Sequence, residues 1–178
     1  SETDQASQCE GCIWAKQHRK PFEKVSEVQS TRRLQLVRSD VCGPTRQRSM
    51  GDAQYFVTFT DDCSRATWVY PMKTKDQVFE KFQEWEKLVT TETGEKIATL
   101  RTDNGGEYTS TEFENFLKEK GIAHQKTTPY TPQQNGVVER RWQTLNNKMR
   151  SMLIEAHLPL EYWTYALRAA NHVTNRTL

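Results

Sequence analysis

Three carboxylates in this chain sit where regular structure would hold them still. Glu139 lies in Thr131-Pro-Gln-Gln-Asn-Gly-Val-Val-Glu139-Arg-Arg-Trp142, a polar loop running into a helical stretch rich in basic residues. Asp103 follows the short run Thr99-Leu-Arg-Thr102 and precedes Asn104-Gly-Gly106, and Asp40 falls late in Leu34-Gln-Leu-Val-Arg-Ser-Asp40-Val-Cys-Gly43. Positions 104 to 138, 35 residues, separate Asp103 from Glu139. A lone glutamate among arginines reads as a solvated helix face. Two aspartates at strand ends with a glutamate on a helix read differently, because Mg²⁺ prefers a few carboxylate oxygens together with water and substrate phosphate.

The elements that must position these groups follow from pattern. Thr131 as cap, Pro132 at the first helical position and Gln134 closing a capping box start a helix near Pro132. Val138, Trp142, Leu145, Met149 and Met152 then recur at steps of four and three, a stripe that faces a core. Glu139, Gln143, Asn146 and Arg150 repeat those steps one residue later, as a polar border to the stripe. Upstream, strands are predicted near Leu34 to Val41, Tyr55 to Thr60 and Thr67 to Met72, an antiparallel meander with turns at Gly43-Pro44, Gly51-Asp52 and Asp61 to Arg65. A helix follows from Thr74 and Gln77 to Gly94, with Val78, Phe79, Phe82, Trp85 and Val89 on one side. Next come a strand from Lys96 to Thr102, a helix from Thr111 to Lys120 stopped by Gly121, and a strand near Ile122 to Lys126. A last helix carries Tyr162, Trp163, Ala166, Leu167, Ala170 and Val173 on its apolar face. This order is an α/β layout with a mixed sheet.

Five blocks, in order, carry a family resemblance: Ser39-Asp40-Val-Cys-Gly-Pro44; Tyr55-Phe-Val-Thr-Phe59 with Asp61-Asp62; Arg101-Thr-Asp103-Asn-Gly-Gly-Glu-Tyr108; Pro129-Tyr-Thr-Pro-Gln-Gln-Asn-Gly136; and Glu139-Arg140. With them the chain resembles the integrase of copia-type long-terminal-repeat retrotransposons, with the aspartate, aspartate, 35 residues, glutamate signature of retroviral integrases. The resemblance implies a ribonuclease H-like fold, a mixed five-stranded sheet flanked by helices. It also implies two Mg²⁺ or Mn²⁺ ions per active site, Asp40 bridging them while Asp103 and Glu139 each complete one site. The activity implied is polynucleotidyl transfer: 3′-end processing of element DNA, then strand transfer into target DNA. A catalytically silent, domesticated DNA-binding or interaction module is the alternative from another class, and a structure-specific nuclease of the same fold is a third reading.

Charge placement says more than total charge. With 178 residues, 35% hydrophobic and 27% charged, the chain suits one domain with a modest core, and its net charge of +2 is too balanced to announce a nucleic-acid binder. Local basic runs stand out instead: Lys16, Arg19, Lys20, Lys24, Arg32, Arg33 and Arg38 face only Glu23 and Glu27, and Arg140, Arg141, Lys148 and Arg150 have no acid between them. Such runs can neutralise phosphates. DNA contact is expected from Gln133, Gln134, Asn135, Arg140, Arg141 and Arg150. Asp61 and Asp62 fit turn formation, Glu107 a structural place at the rim, and Cys42 and Cys63 buried thiols rather than a disulfide.

Cys9 and Cys12 have the spacing of two ligands of a tetrahedral zinc site, and His18 matches no ligand spacing. The resemblance implies that residues 1–25 are the second half of an N-terminal zinc module, with Zn²⁺ held only in the full-length module. A linker at 26–31 and a catalytic core at 32–178 would follow, with the full protein's C-terminal region absent. No apolar run approaches the roughly 20 residues that span a bilayer, and no signal-peptide core is present, so no membrane partner is expected. DNA and further copies of the chain, at least a dimer, are the expected partners. The nucleus, with a cytoplasmic virus-like particle stage, is the expected location.

Overall fold

The computed structural model describes residues 29–127 and 132–177, with residues 132–139 described by their place in a helix. Strands β1 (Leu36–Cys42), β2 (Tyr55–Asp61) and β3 (Thr67–Met72) form the expected antiparallel meander, followed by α1 (Val78–Thr93). Then come β4 (Thr99–Thr102), α2 (Thr111–Lys120), β5 (Ala123–Lys126), α3 (Pro132–Glu155) and α4 (Trp163–Arg176). The five strands lie in the order β3-β2-β1-β4-β5, with β4 parallel to both β1 and β5, so the sheet is mixed.

Period-two alternation decides which face each side chain serves. On β1, Val37 and Val41 join the core beneath α1 and α2, with Phe59, Phe82, Trp85, Leu100 and Phe113. Cys42 instead packs on the opposite core, where Phe56 meets Leu145 and Met149 of α3 and Trp163 and Leu167 of α4. Asp40 shares the parity of Cys42 and therefore the face covered by α3 and α4. Ring contacts tie each layer to the sheet, Trp85 stacked on Phe59 with centroids 4.6 Å apart and Trp142 tilted against Phe56 at 4.9 Å.

Several boundaries differ from expectation for identifiable reasons. β1 begins at Leu36, not Leu34, because Leu34 adopts a left-handed φ of 56° that breaks the strand while its side chain is buried. The Asp61 carboxylate accepts the Leu34 N–H at 2.9 Å and secures that turn. β4 starts at Thr99, since the residues before it only approach β1, through Ala98 N–H to the Leu34 carbonyl. A 3₁₀ turn, Lys75–Gln77, precedes α1, with the Gln77 side chain accepting from the Lys73 N–H at 2.7 Å. α2 matches expectation at both ends, Ser110 capping Phe113 N–H and Gly121 closing it with φ 69°. On α4 the expected apolar face is corrected at one position: Val173 is 41% exposed, and the polar Asn171 and Thr174 are buried instead. Asn171 Nδ2 donates to the Thr67 carbonyl at 2.7 Å, so the helix seals the start of β3 with hydrogen bonds.

The end of the expected linker is tied to this core. Gln29 donates to the Cys63 carbonyl and Ser30 N–H to Asp62 Oδ2, at 2.6 and 2.8 Å. No helix among the described residues is long and apolar enough to cross a membrane.

Candidate active site

Asp40 and Asp103 belong to neighbouring strands. β1 and β4 pair in parallel with Leu36 opposite Thr99, Val37 opposite Leu100 and Arg38 opposite Arg101, a constant offset of 63. Asp40 stands two residues beyond the last of these pairs within β1, and Asp103 two residues beyond it just past the end of β4, so both lie toward the same end of the paired strands. On β1, Val37 belongs to the α1 and α2 core, so Asp40 belongs to the face covered by α3 and α4.

Local structure holds each aspartate. Asp40 is half-buried in the body of β1, and Asp103 is exposed where the chain leaves β4. Asp103 Oδ1 accepts the Gly105 N–H at 2.9 Å, a turn that orients its carboxylate. Gly105 packs against the Glu107 carboxylate, which a Cβ at that position would push aside. Glu107 itself pairs with Lys75 at 3.9 Å, in keeping with a structural place at the rim.

Tyr108 is fully buried, its hydroxyl 2.6 Å from Ser39 Oγ. Burial pushes its phenol well above the ordinary value against the Ser39 hydrogen bond, and the charges of Asp40, Asp103 and Glu107 push it further the same way. Its role was not evident from sequence, although its position five residues after Asp103 was.

Asp40 opens onto a small cleft lined by Cys42, Thr58, Thr60, Thr67, Arg141, Trp142 and Leu145. Burial and then the Asp40 charge push the Cys42 thiol up to about 12, so at neutral pH it is a protonated thiol and no nucleophile. Cys42 and Cys63 are both free. α3 supplies the other wall, and Glu139 stands on it one helical turn before Trp142. The Glu139 side chain lies outside the described residues, as do those of Val138, Gln133, Gln134 and Asn135. Cys9, Cys12, His18 and the Thr131 cap also lie outside them. No group of three or more His, Cys, Asp or Glu side chains suited to a metal occurs among the described residues. The hard oxygen donors of Asp40 and Asp103, toward the same end of two paired strands, fit a hard divalent cation.

The basic residues divide. Arg140 and Arg150 are exposed, whereas Arg141 is half-buried and donates through Nε to Thr67 Oγ1 at 3.3 Å and through Nη2 to Asn175 Oδ1 at 2.8 Å. Arg38, expected within a phosphate-facing basic run, is corrected to a buried residue paired with Asp62 at 3.2 Å, both side chains 5% exposed or less. Arg32 of the same run pairs with Glu95. Asp61 and Asp62 are turn residues, Asp61 accepting from the Ser64 N–H and hydroxyl. Alternation along β1 could have flagged Arg38, since it shares the covered face with Asp40.

Comparison with known proteins agrees with this architecture. The family model described as integrase core domain matches residues 30–132. The chain belongs to the integrase core domain family. Within it, the copia-type resemblance is matched by plant relatives. The chain is 53% identical over 169 residues to the retrovirus-related Pol polyprotein from transposon TNT 1-94 of Nicotiana tabacum, covering 95% of this chain and 13% of that protein. To the corresponding polyprotein from transposon RE2 of Arabidopsis thaliana it is 34% identical over 168 residues, covering 94% and 11%. The chain therefore spans a small part of these relatives. Among solved structures, a chain of the simian T-cell lymphotropic virus intasome in complex with PP2A regulatory subunit B56 gamma superposes with a TM-score of 0.63 at 20% identity, covering 80% of this chain and 49% of that one. The HTLV-2 integrase catalytic core domain in complex with magnesium, in its dimeric form, gives 0.57 at 22% identity, covering 78% and 84%. The fold is that of the ribonuclease H-like integrase cores.

Proposed function

We propose that this chain is the catalytic core of a retrotransposon integrase, in which Asp40, Asp103 and Glu139 hold Mg²⁺ or Mn²⁺, two ions per site. The observation that supports the reading is the parallel pairing of β1 with β4, which carries the two aspartates toward the same end of neighbouring strands, with the helix bearing Glu139 over the face to which Asp40 belongs. Bound ions supply charge stabilisation to the entering and leaving oxygens of an in-line phosphodiester displacement. The protein's part is to hold the carboxylates still: Asp40 within a central strand, Asp103 through its bond from Gly105 N–H, and Glu139 on a helix packed by Leu145 and Met149.

Two displacements follow. In the first, water attacks phosphorus near the element's 3′ end, the P–O3′ bond breaks, and a 3′-hydroxyl is left. In the second, that hydroxyl attacks a target phosphodiester, a new P–O bond forms, and the target's 3′-oxygen leaves and takes a proton. Arg140 and Arg150, both exposed, would meet phosphates, and Gln133, Gln134 and Asn135 would meet the element's DNA end. DNA is thus the substrate and partner. A second copy of the chain, Zn²⁺ on Cys9 and Cys12 only within a full-length N-terminal module of which residues 1–25 are the second half, and action in the nucleus after a particle stage in the cytoplasm complete the reading.

A preassembled branched DNA that mimics the joined product tests the chemistry, because it already holds the reacting strands together. Metal-dependent strand rejoining that Asp103→Asn and Glu139→Gln each reduce by about 10³-fold or more is expected. A folded, DNA-binding chain that gives no product would instead favour the silent module.

A further inference from the structure

The cleft beside Asp40 contains an arginine with an unusual setting. Arg141 stands two residues after Glu139 on α3, and its guanidinium is turned inward toward neutral acceptors, Thr67 Oγ1 and Asn175 Oδ1. Burial alone lowers its tendency to stay charged. Its partners are themselves locked. Asn175 Oδ1 also accepts the Thr67 N–H at 3.0 Å, Asn175 Nδ2 donates to the Thr67 carbonyl at 2.7 Å, and Thr60 Oγ1 lies 3.1 Å from Thr67 Oγ1. One side chain therefore links α3 to β3, through it to β2, and to α4.

A helix turns by about 100° per residue, so a fixed side chain near Glu139 sets both the rotation and the depth of that part of α3. The apolar attachments Leu145, Met149 and Leu153 lie further along the helix, and Trp142 leans on Phe56 through a ring contact that tolerates sliding. A planar guanidinium with two directed bonds does not tolerate it, and a lysine has no fork with which to span both partners. We propose that Arg141 is a positioning residue, which by clamping α3 to Thr67 and Asn175 sets the place of Glu139 relative to Asp40. The proposal rests on the integrase reading above, and replaces direct phosphate contact as the role of this arginine.

The test compares Mn²⁺ affinity, read from the EPR signal of free Mn²⁺, with steady-state rejoining of branched DNA. The proteins are the wild-type chain, Arg141→Gln, Thr67→Val, Thr67→Ser and, as reference, Asp103→Asn. Arg141→Gln is expected to weaken Mn²⁺ binding and lower kcat by about 10-fold or more, as loss of a supporting shell around a metal site does, with KM for DNA nearly unchanged. Thr67→Val, nearly isosteric, moves both readings in the same direction with a smaller amplitude, and Thr67→Ser, which keeps the hydroxyl, behaves as wild type. Should Arg141→Gln fail to fold, the valine and serine pair decides. Wild-type Mn²⁺ affinity in Arg141→Gln or Thr67→Val, or a raised KM for DNA with a shallower salt dependence and unchanged kcat, overturns the proposal. A wild-type chain whose Mn²⁺ binding does not depend on Asp103 contradicts the integrase reading itself, and the proposal falls with it.

Discussion

Asp62 shows how much of this architecture depends on single charges. Its carboxylate accepts the Ser30 N–H and pairs with Arg38 and Arg65, the first of these wholly inside the protein. Burial alone would raise its pKa, but the Ser30 N–H and then the two guanidinium groups outweigh that and hold it below the ordinary value of 3.8. A carboxyl whose folded pKa is depressed contributes stability that is present above its unfolded pKa and lost as pH falls through the folded one. The stability gap between wild type and Asp62→Asn, measured by urea unfolding from pH 7 downward, is therefore expected to be largest near neutrality and to shrink below about pH 4. A gap that stays constant to pH 2 contradicts this account. Tyr108 is the neutral counterpart: buried in the core beneath α1 and α2 and held by Ser39, it fills space without adding charge.

At the scale of elements, α3 is the critical member. It carries Glu139 on one side and, with Trp142, Leu145, Met149 and Leu153, closes the core shared with α4 and β2 on the other. Leu145 is 1% exposed at the middle of that contact. Leu145→Ala removes buried methyl groups where packed neighbours relax only in part, and is expected to cost about 2–5 kcal/mol in urea unfolding. A cost under 0.5 kcal/mol would mean that α3 is seated by something else. Gly43 shows the same dependence of an element on one residue. With φ 126°, a Cβ there would sit 2.7 Å from the Gln54 carbonyl oxygen, so the exit from β1 after Asp40 is built for glycine.

Across the whole molecule, the signals legible in sequence were the local and periodic ones. The meander, both ends of α2 and the number of strands follow from alternation, the Gly121 stop and turn residues. Asp103 falls where the pattern puts it, at the end of a strand before a glycine turn, whereas Asp40 lies within β1 rather than at its end; that β1 pairs with β4 in parallel is a tertiary fact. Arg38 and Asn171 escaped, because a polar residue is buried only when partners arrive from elsewhere, and Asp62 and Thr67 supply them. Leu34 escaped because no local pattern shows that an apolar residue will take a left-handed turn. The integrase reading depends in the end on whether these carboxylates form one metal site. Anomalous scattering at the manganese edge, from crystals of the chain grown with Mn²⁺, measures that directly. The expected result is a peak contacting the carboxylates of both Asp40 and Asp103, with Glu139 joining the same site, lost in Asp103→Asn. Carboxylates that stay apart with no peak between them, or Mn²⁺ bound elsewhere, would contradict it.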